Sequence, residues 1–234
     1  MKTPKVALIT GSGSGLGKAI ALAFSKKGYD LGLSGRDLNK LETVKQQIVK
    51  NKVDCLIIAG DIAKKEIREK LLSETLKKYG KVDVLVNNAG IFNEKQLQDL
   101  TEEEITELIE INTISHIQLT RIFYTHMKEK GSGKIVNIVS INAITPRENR
   151  AIYCASKAAI KGFTESFRME ANKNNVQVFG IYPGGMQTDI FKNAGIERDT
   201  SNYIKPAEIA KIVVNAVDGQ DESTSDIIFY RMRF

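Results

Sequence analysis

The feature that most constrains this chain is an alternation, sustained from end to end, of short apolar runs with longer amphipathic stretches. The runs lie at 6–10, 31–34, 53–59, 82–87, 134–140, 176–182 and 226–230. They are rich in Val, Ile and Leu without clean polar alternation, so they read as strands buried on both faces. Between them lie helical patterns at 18–27, 38–49, 64–79, 102–128, 151–172 and 206–217. Such strand–helix alternation predicts an α/β fold, a parallel sheet of about seven strands with helices on both faces. No linker, repeat or low-complexity segment interrupts it, and 234 residues suit a single domain over 1–234. The longest irregular segment, 184–205, has the length of a lid or binding loop.

Composition narrows the class of function. With 42% apolar and 26% charged residues the chain can build a sizeable core without a metal or disulfide staple. Cys55 and Cys154 lie far apart in no metal-ligand spacing, so no metal site is expected and a reducing compartment is. The segment from Met1 to Lys5 is too short for a signal peptide, and no run approaches a membrane span; a cytoplasmic protein without a membrane partner follows as the expectation. The net charge of +6 comes from lysines interleaved with glutamates, as in Lys64-Lys65-Glu66 and Arg68-Glu69-Lys70. These are solvated helix faces rather than a nucleic-acid surface, although a positive balance suits a phosphorylated cofactor.

The first strand ends in Thr10-Gly11-Ser12-Gly13-Ser14-Gly15-Leu16-Gly17, and a helical pattern begins at once. A strand feeding a helix through glycines lets the helix N-terminal N–H groups approach a phosphate. G-x-G-x-x-G fails from Gly11, where Leu16 takes the third glycine's place, and from Gly13, where Lys18 does. A P-loop fails too, with Ser12 at its first glycine and Ala19 where a magnesium-binding hydroxyl belongs. T-G-x-x-x-G-x-G does fit, through Thr10, Gly11, Gly15 and Gly17. This resembles the short-chain dehydrogenase/reductase family, and not its extended branch, which wants glycine where Ser14 stands.

Three further segments are read for chemistry. Tyr153-Cys154-Ala155-Ser156-Lys157 is Y-x-x-x-K on an amphipathic helix, which places phenol and ammonium on one face. A nearby positive charge lowers the pKa of a phenol, letting Tyr153 give a proton to a carbonyl or take one from an alcohol. Ser140 closes the fifth run, at the strand end where ligands bind in open α/β sheets, and its hydroxyl can hydrogen-bond an oxygen as charge develops on it. Asn112 lies inside the long 102–128 pattern, where asparagine is locally unfavourable and invites a reason. His116, His126 and Cys154 show no partner and read as surface or packing residues.

The resemblance covers nearly all of 5–230 with its motifs in order, and implies a single-domain Rossmann-type doubly wound fold. It implies a catalytic set of Asn112, Ser140, Tyr153 and Lys157, with Asn112 interrupting its helix to hold a water that connects Lys157 to solvent. Lys157 would also hydrogen-bond the nicotinamide ribose. It implies cofactor contacts from Gly11, Ser12, Ser14, Gly15, Leu16 and Gly17, then Asp61 and Ile62 near the adenine, then Asn88, Ala89 and Gly90. Tyr182-Pro183-Gly184-Gly185-Met186-Gln187-Thr188 resembles P-G-x-V-x-T, implying contacts from Pro183, Gly184, Met186 and Thr188, with Met186 departing from the usual small apolar residue. Cofactor choice is read at the second strand's end, where NAD users carry an acid and this chain has Gly35 and then Arg36. A guanidinium can take a 2′-phosphate bidentately, whereas Asp37 is placed to cap the next helix. NADP is therefore expected over NAD, although Ser14 stands where many NADP-preferring members have a basic residue.

The expected activity is hydride transfer between NADP(H) and a small carbonyl or alcohol substrate, as a carbonyl reductase. An NAD-dependent alcohol dehydrogenase and a non-catalytic NADP-binding sensor or scaffold are the alternatives. The substrate pocket is expected from 143–150 and 184–205, mixing Ile144, Pro146, Met186, Ile190 and Phe191 with Arg147 and Arg150. By resemblance the chain would form a homotetramer or homodimer through the helices bearing Asn112 and Tyr153, with the 227–234 tail able to alter this.

Overall fold

Val6–Thr10 (β1) is buried at every position, as a strand covered on both faces must be. The computed structural model describes residues 3–219 and 225–230; the last four residues of the 227–234 tail fall outside these. Around β1 lie Asp30–Gly35 (β2), Cys55–Ala59 (β3), Val84–Asn87 (β4), Gly133–Ile138 (β5), Val176–Tyr182 (β6) and Asp226–Ile228 (β7). They form one seven-stranded sheet in the order β3-β2-β1-β4-β5-β6-β7, every neighbouring pair parallel. The chain winds outward to β3, then crosses to β4 and winds the other way. The crevice beyond the carboxyl ends of β1 and β4 is the switch point, where such sheets take their ligands.

Side chains along each strand alternate between two packed layers. Ala7 and Ile9 face a cluster that holds Ile20 and Phe24 of Gly15–Lys26 (α1), Val44 of Leu38–Ile48 (α2) and Val213 of Pro206–Asp218 (α8). Leu8 faces a second cluster, with Leu71 of Lys65–Tyr79 (α3) and Phe123 and Met127 of Ser115–Lys130 (α5). Ala171, at the end of Ala151–Ala171 (α6), packs in this second layer. The doubly wound sheet expected from the alternation is the one found.

Several element bounds differ from the sequence pattern for local reasons. Helix α1 begins three residues before the pattern at 18, because Gly15 and Gly17 hide its first turn from any apolar periodicity. The pattern at 102–128 is two helices, Glu102–Ile109 (α4) and α5, separated by a π-turn at Glu110–Ile114 that contains Asn112. Strand β5 stops two residues before Ser140, which is extended and leads into a single 3-10 turn at Ile141–Ala143. Asp37 caps α2 as expected, accepting the Lys40 N–H at 3.1 Å.

A buried polar chain crosses the sheet. Asn87 donates to Thr120 Oγ1 and to Asn137 Oδ1, both at 2.9 Å, and Asn137 donates to Thr164 Oγ1 at 2.9 Å. It joins α5, β4, β5 and α6 through bonds shielded from water. The 184–205 segment is tied at its two ends: Met186 bridges Ile204, the Gln187 N–H donates to the Ile204 carbonyl, and the Ile204 N–H to that of Gly185. Between them lies the short helix Ile190–Asn193 (α7).

Candidate active site

A cleft of about 540 Å3 runs across the carboxyl ends of β1, β2, β4, β5 and β6. At one end is the glycine turn. Gly11 (φ +63°) and Gly15 (φ +53°) both adopt left-handed conformations that L side chains resist. Thr10 shapes the turn from behind, its hydroxyl accepting the N–H groups of Asn88 and Ala89 at 3.0 and 3.1 Å. The Asn88 amide donates back to the carbonyls of Thr10 and Gly11. Gly11, Ser14, Gly15 and Leu16 line the cleft, and so do Arg36, Asp61, Ile62, Asn88, Ala89 and Gly90.

Two motif positions do not reach it. The Ser12 side chain turns toward β2, its Oγ donating to the Ser34 carbonyl and accepting the Ser34 N–H at 3.0 Å. Gly17 is buried, and a Cβ there would lie 2.3 Å from the Gly11 carbonyl oxygen and 2.4 Å from Asn88 Nδ2. Both pack the turn from behind and are absent from the cleft lining. Asp61 braces its own turn, accepting the Ala63 N–H at 3.0 Å; it is not the cap of α3, which falls at Lys64. Lys40, which the sequence reading passed over, lines the cleft beside Arg36.

At the deeper end Ser140, Tyr153 and Lys157 all line the cleft and all are buried. Ser140 Oγ accepts the Asn142 N–H at 3.1 Å, which leaves its own proton to point elsewhere. Burial pushes the Tyr153 phenol above its ordinary pKa, while hydrogen bonding from Ser140 and the charge of Arg150 pull the other way. Lys157 is held by the backbone at the end of β5. Its ammonium donates to the Ile138 carbonyl at 3.0 Å, and burial brings its pKa down to about 8.

Asn112 stands behind the cleft wall. Its side chain pairs with both backbone groups of Ile91, accepting the N–H and donating to the carbonyl at 2.9 Å each, and reaches Ser156 Oγ at 3.3 Å. An extended π-turn frees backbone geometry for this crossing. His116 is a packing residue as expected, fully buried against the Ala89 carbonyl at 2.6 Å. Burial and the Lys157 charge bring its pKa down to about 3, so it is neutral and donates this bond.

Pro183, Gly184, Met186 and Thr188 line the side wall. Beyond Tyr153 the cleft is closed by rings set edge to face: Phe92 is 4.8 Å from Tyr153 and 5.2 Å from Phe191 between centroids, and Phe191 is 6.1 Å from Tyr203. Arg150 lies over Phe92 and Arg198 over Phe191. Both guanidiniums meet one carboxylate, Arg150 Nη2 donating to Glu94 Oε1 at 2.9 Å and Arg198 Nη2 to Glu94 Oε2 at 2.8 Å. Phe92 and Glu94 lie outside the segments expected to form the pocket, whereas Arg198 and Tyr203 fall within the expected 184–205. Among the described residues no cluster of metal-ligating side chains occurs, and no helix is long and apolar enough to cross a membrane.

The model of the short chain dehydrogenase family matches residues 5–199. The chain belongs to that family. This short-chain dehydrogenase is 34% identical over 205 residues to dehydrogenase/reductase SDR family member 7 of Mus musculus. The match covers 86% of this chain and 61% of the mouse protein, so the short-chain dehydrogenase spans less than two thirds of that relative's length. An alcohol dehydrogenase from Thermococcus sibiricus, solved with 5-hydroxy-NADP, superposes with a TM-score of 0.88 at 29% identity, covering 97% of this chain and 96% of that one. A 3-ketoacyl-(acyl-carrier-protein) reductase from Brucella melitensis, solved with NADH, superposes equally well (0.88) at 29% identity, covering 95% and 96%.

Proposed function

We propose that this protein transfers a hydride between NADP(H) and the carbonyl or alcohol carbon of a small substrate, working as a carbonyl reductase. One observation carries the reading: Ser140, Tyr153 and Lys157 lie buried in the same cleft that begins at the glycine turn and Arg36. The cradle fits a dinucleotide. Gly15 has so little room that a Cβ would meet the Thr188 side chain at 3.2 Å, and turns of this kind let backbone N–H groups reach a pyrophosphate. The adenosine end offers Arg36 and Lys40 to a 2′-phosphate, while of the acids there Asp37 caps α2 and lies 3.9 Å from the Lys40 ammonium, and Asp61 braces its own turn. Lys157 would hold the nicotinamide ribose, and Pro183, Gly184, Met186 and Thr188 the carboxamide side.

The bound nicotinamide supplies or accepts the hydride. The protein supplies the rest. Ser140, whose oxygen accepts the Asn142 N–H and whose proton meets Tyr153 in the free protein, would turn that proton to the substrate oxygen. Tyr153 stays protonated near neutral pH, since burial raises its pKa, and so is ready to donate as charge grows on that oxygen. Asn112 fixes the segment after β4 through Ile91 and would anchor the relay behind Lys157. The chain acts as one domain over 1–234 with 184–205 as its substrate loop, in the cytoplasm, as a homotetramer or homodimer.

Tyr153→Phe tests the chemistry: NADPH binding should persist while reduction of aldehydes and ketones falls about a thousandfold or more, given what a positioned acid contributes. Retention of full activity would refute the mechanism, and tight NADPH binding without any turnover in the wild type would favour the sensor or scaffold. For cofactor choice, Arg36→Ala should weaken NADPH at least tenfold and leave NADH nearly unchanged. A wild type that prefers NADH would make it an NAD-dependent alcohol dehydrogenase.

A further inference from the structure

The closed end of the cleft holds more positive charge than a neutral carbonyl compound needs. Arg150 and Arg198 lie there over the rings of Phe92 and Phe191 with Glu94 between them, and the exposed Arg147 and Asp189 line the same cleft. That leaves one positive charge in excess even before Lys157 is counted. Glu94 is divided, one oxygen to each guanidinium, so neither arginine spends its two-pronged fork on it. Arg150 is nine-tenths buried, and its Nε has no hydrogen-bond partner among the described residues. A desolvated cationic N–H without an acceptor is unfavourable and calls for one from a ligand.

Arg150 caps α6 three residues before Tyr153, about 4.5 Å along the helix axis at 1.5 Å per residue. Both side chains line the cleft, so one ligand can meet both. Phe92 lies between, touching Tyr153 on one side and Arg150 on the other, so the intervening part of the ligand meets an aromatic wall.

We propose that this end of the cleft binds the carboxylate of an oxo acid, with Arg150 as its anchor and Phe92 and Phe191 against its apolar body. The inference rests on the reading of Tyr153 as the proton donor. In the reaction NADPH gives a hydride to the carbonyl carbon and becomes NADP+, Tyr153 gives a proton to the carbonyl oxygen, and the product is the hydroxy acid with its carboxylate unchanged. The proton lost from Tyr153 is replaced from solvent.

The test compares 4-oxo-4-phenylbutanoate with its methyl ester, and 2-oxo-2-phenylacetate with its ester as a shorter spacing, in NADPH-dependent turnover. The expected result is a kcat/KM at least tenfold higher for the longer acid than for its ester, expressed in KM, the strength of a charge-assisted hydrogen bond. Arg150→Gln should collapse that ratio toward one, and Arg150→Lys should restore part of it. Equal wild-type values for acid and ester, or an Arg150→Gln variant that slows both alike, would overturn the proposal and leave the arginines as a tether between loops. Should Arg150→Gln fail to fold, the wild-type ratio and Arg198→Gln decide. Failure of the reductase reading shows separately, as no turnover of any carbonyl compound. Calorimetry on the NADP+ complex then still decides: 4-phenylbutanoate binding at least tenfold tighter than 4-phenylbutanamide supports the anion site, and equal binding overturns it.

Discussion

Replacing Lys157 with methionine should make the cofactor-free protein more stable at neutral pH while abolishing turnover. Burial holds the Lys157 ammonium at a pKa of about 8 against an ordinary 10.5, which means that folding works against the charge. At about 1.4 kcal/mol per pKa unit, the charged side chain destabilises the fold by about 3 kcal/mol at pH 7. Methionine fills similar space without charge but forfeits the bond to the Ile138 carbonyl, a loss of about 1 kcal/mol. The net gain is about 2 kcal/mol, or roughly 4–8 °C in Tm for a chain of this size. Between pH 8 and 10.5 the unfolded chain binds the proton that the folded one has released, so wild-type stability rises with pH. By pH 10 the charge penalty has shrunk to about 1 kcal/mol and the advantage of methionine disappears. Thermal or urea unfolding of both proteins at pH 7, 8, 9 and 10, without cofactor, reads this directly. A stability difference that stays constant across that range would refute the reasoning, whatever its sign.

Other perturbations follow from the packing around the cleft. Gly17→Ala drives a methyl group into the Gly11 carbonyl and the Asn88 amide, so it should destabilise by about 3 kcal/mol and weaken NADPH binding, seen in melting curves and titration. Glu94→Ala strips two arginines of their shared acceptor; limited proteolysis should cut 184–205 faster, with a global loss of about 2 kcal/mol. Burial opposes the Glu94 charge, but its two arginines win and hold its carboxyl below the ordinary range. That contribution is therefore present at neutral pH and lost as pH falls through the lowered value. Asn112→Ala leaves the Ile91 N–H and carbonyl unpaired, and should reduce stability by about 3 kcal/mol and kcat more than KM.

What the sequence made legible is what is local. The glycine turn, the Tyr153–Lys157 pair and the Asp37 cap each lie within a few residues, so their types and spacing carry the geometry. Arg36 could be placed because it follows Gly35 at the end of β2. The motif could not show which of its own members line the cleft, since Ser12 and Gly17 are spent on packing against Ser34 and Gly11. Nor could it show that Lys157 turns to the Ile138 carbonyl, because that depends on how deeply α6 is buried. The cluster of Phe92, Glu94 and Arg198 was hidden for a plainer reason. Glu94 meets Arg150 and Arg198 across 56 and 104 residues, and no local pattern marks a pair formed only when two loops and a helix start converge.

The buried chain from Thr120 through Asn87 and Asn137 to Thr164 bears on how such a cleft can change. Asn137 and Thr164 join the strand leading to Ser140 and the helix bearing Tyr153 and Lys157, so the Ser140 and Tyr153 hydroxyls inherit their spacing from buried bonds outside the cleft. A slip of β4 against β5 by one residue would turn Asn87 and Asn137 to opposite faces and break the chain. The loops holding Glu94 and Arg198 are tied instead by charge, through the two arginine–carboxylate pairs at the cleft wall. The spacing of those hydroxyls and the lining of the arginine-bearing end thus belong to separate parts of the molecule, so loop substitutions can reshape the second without moving the first.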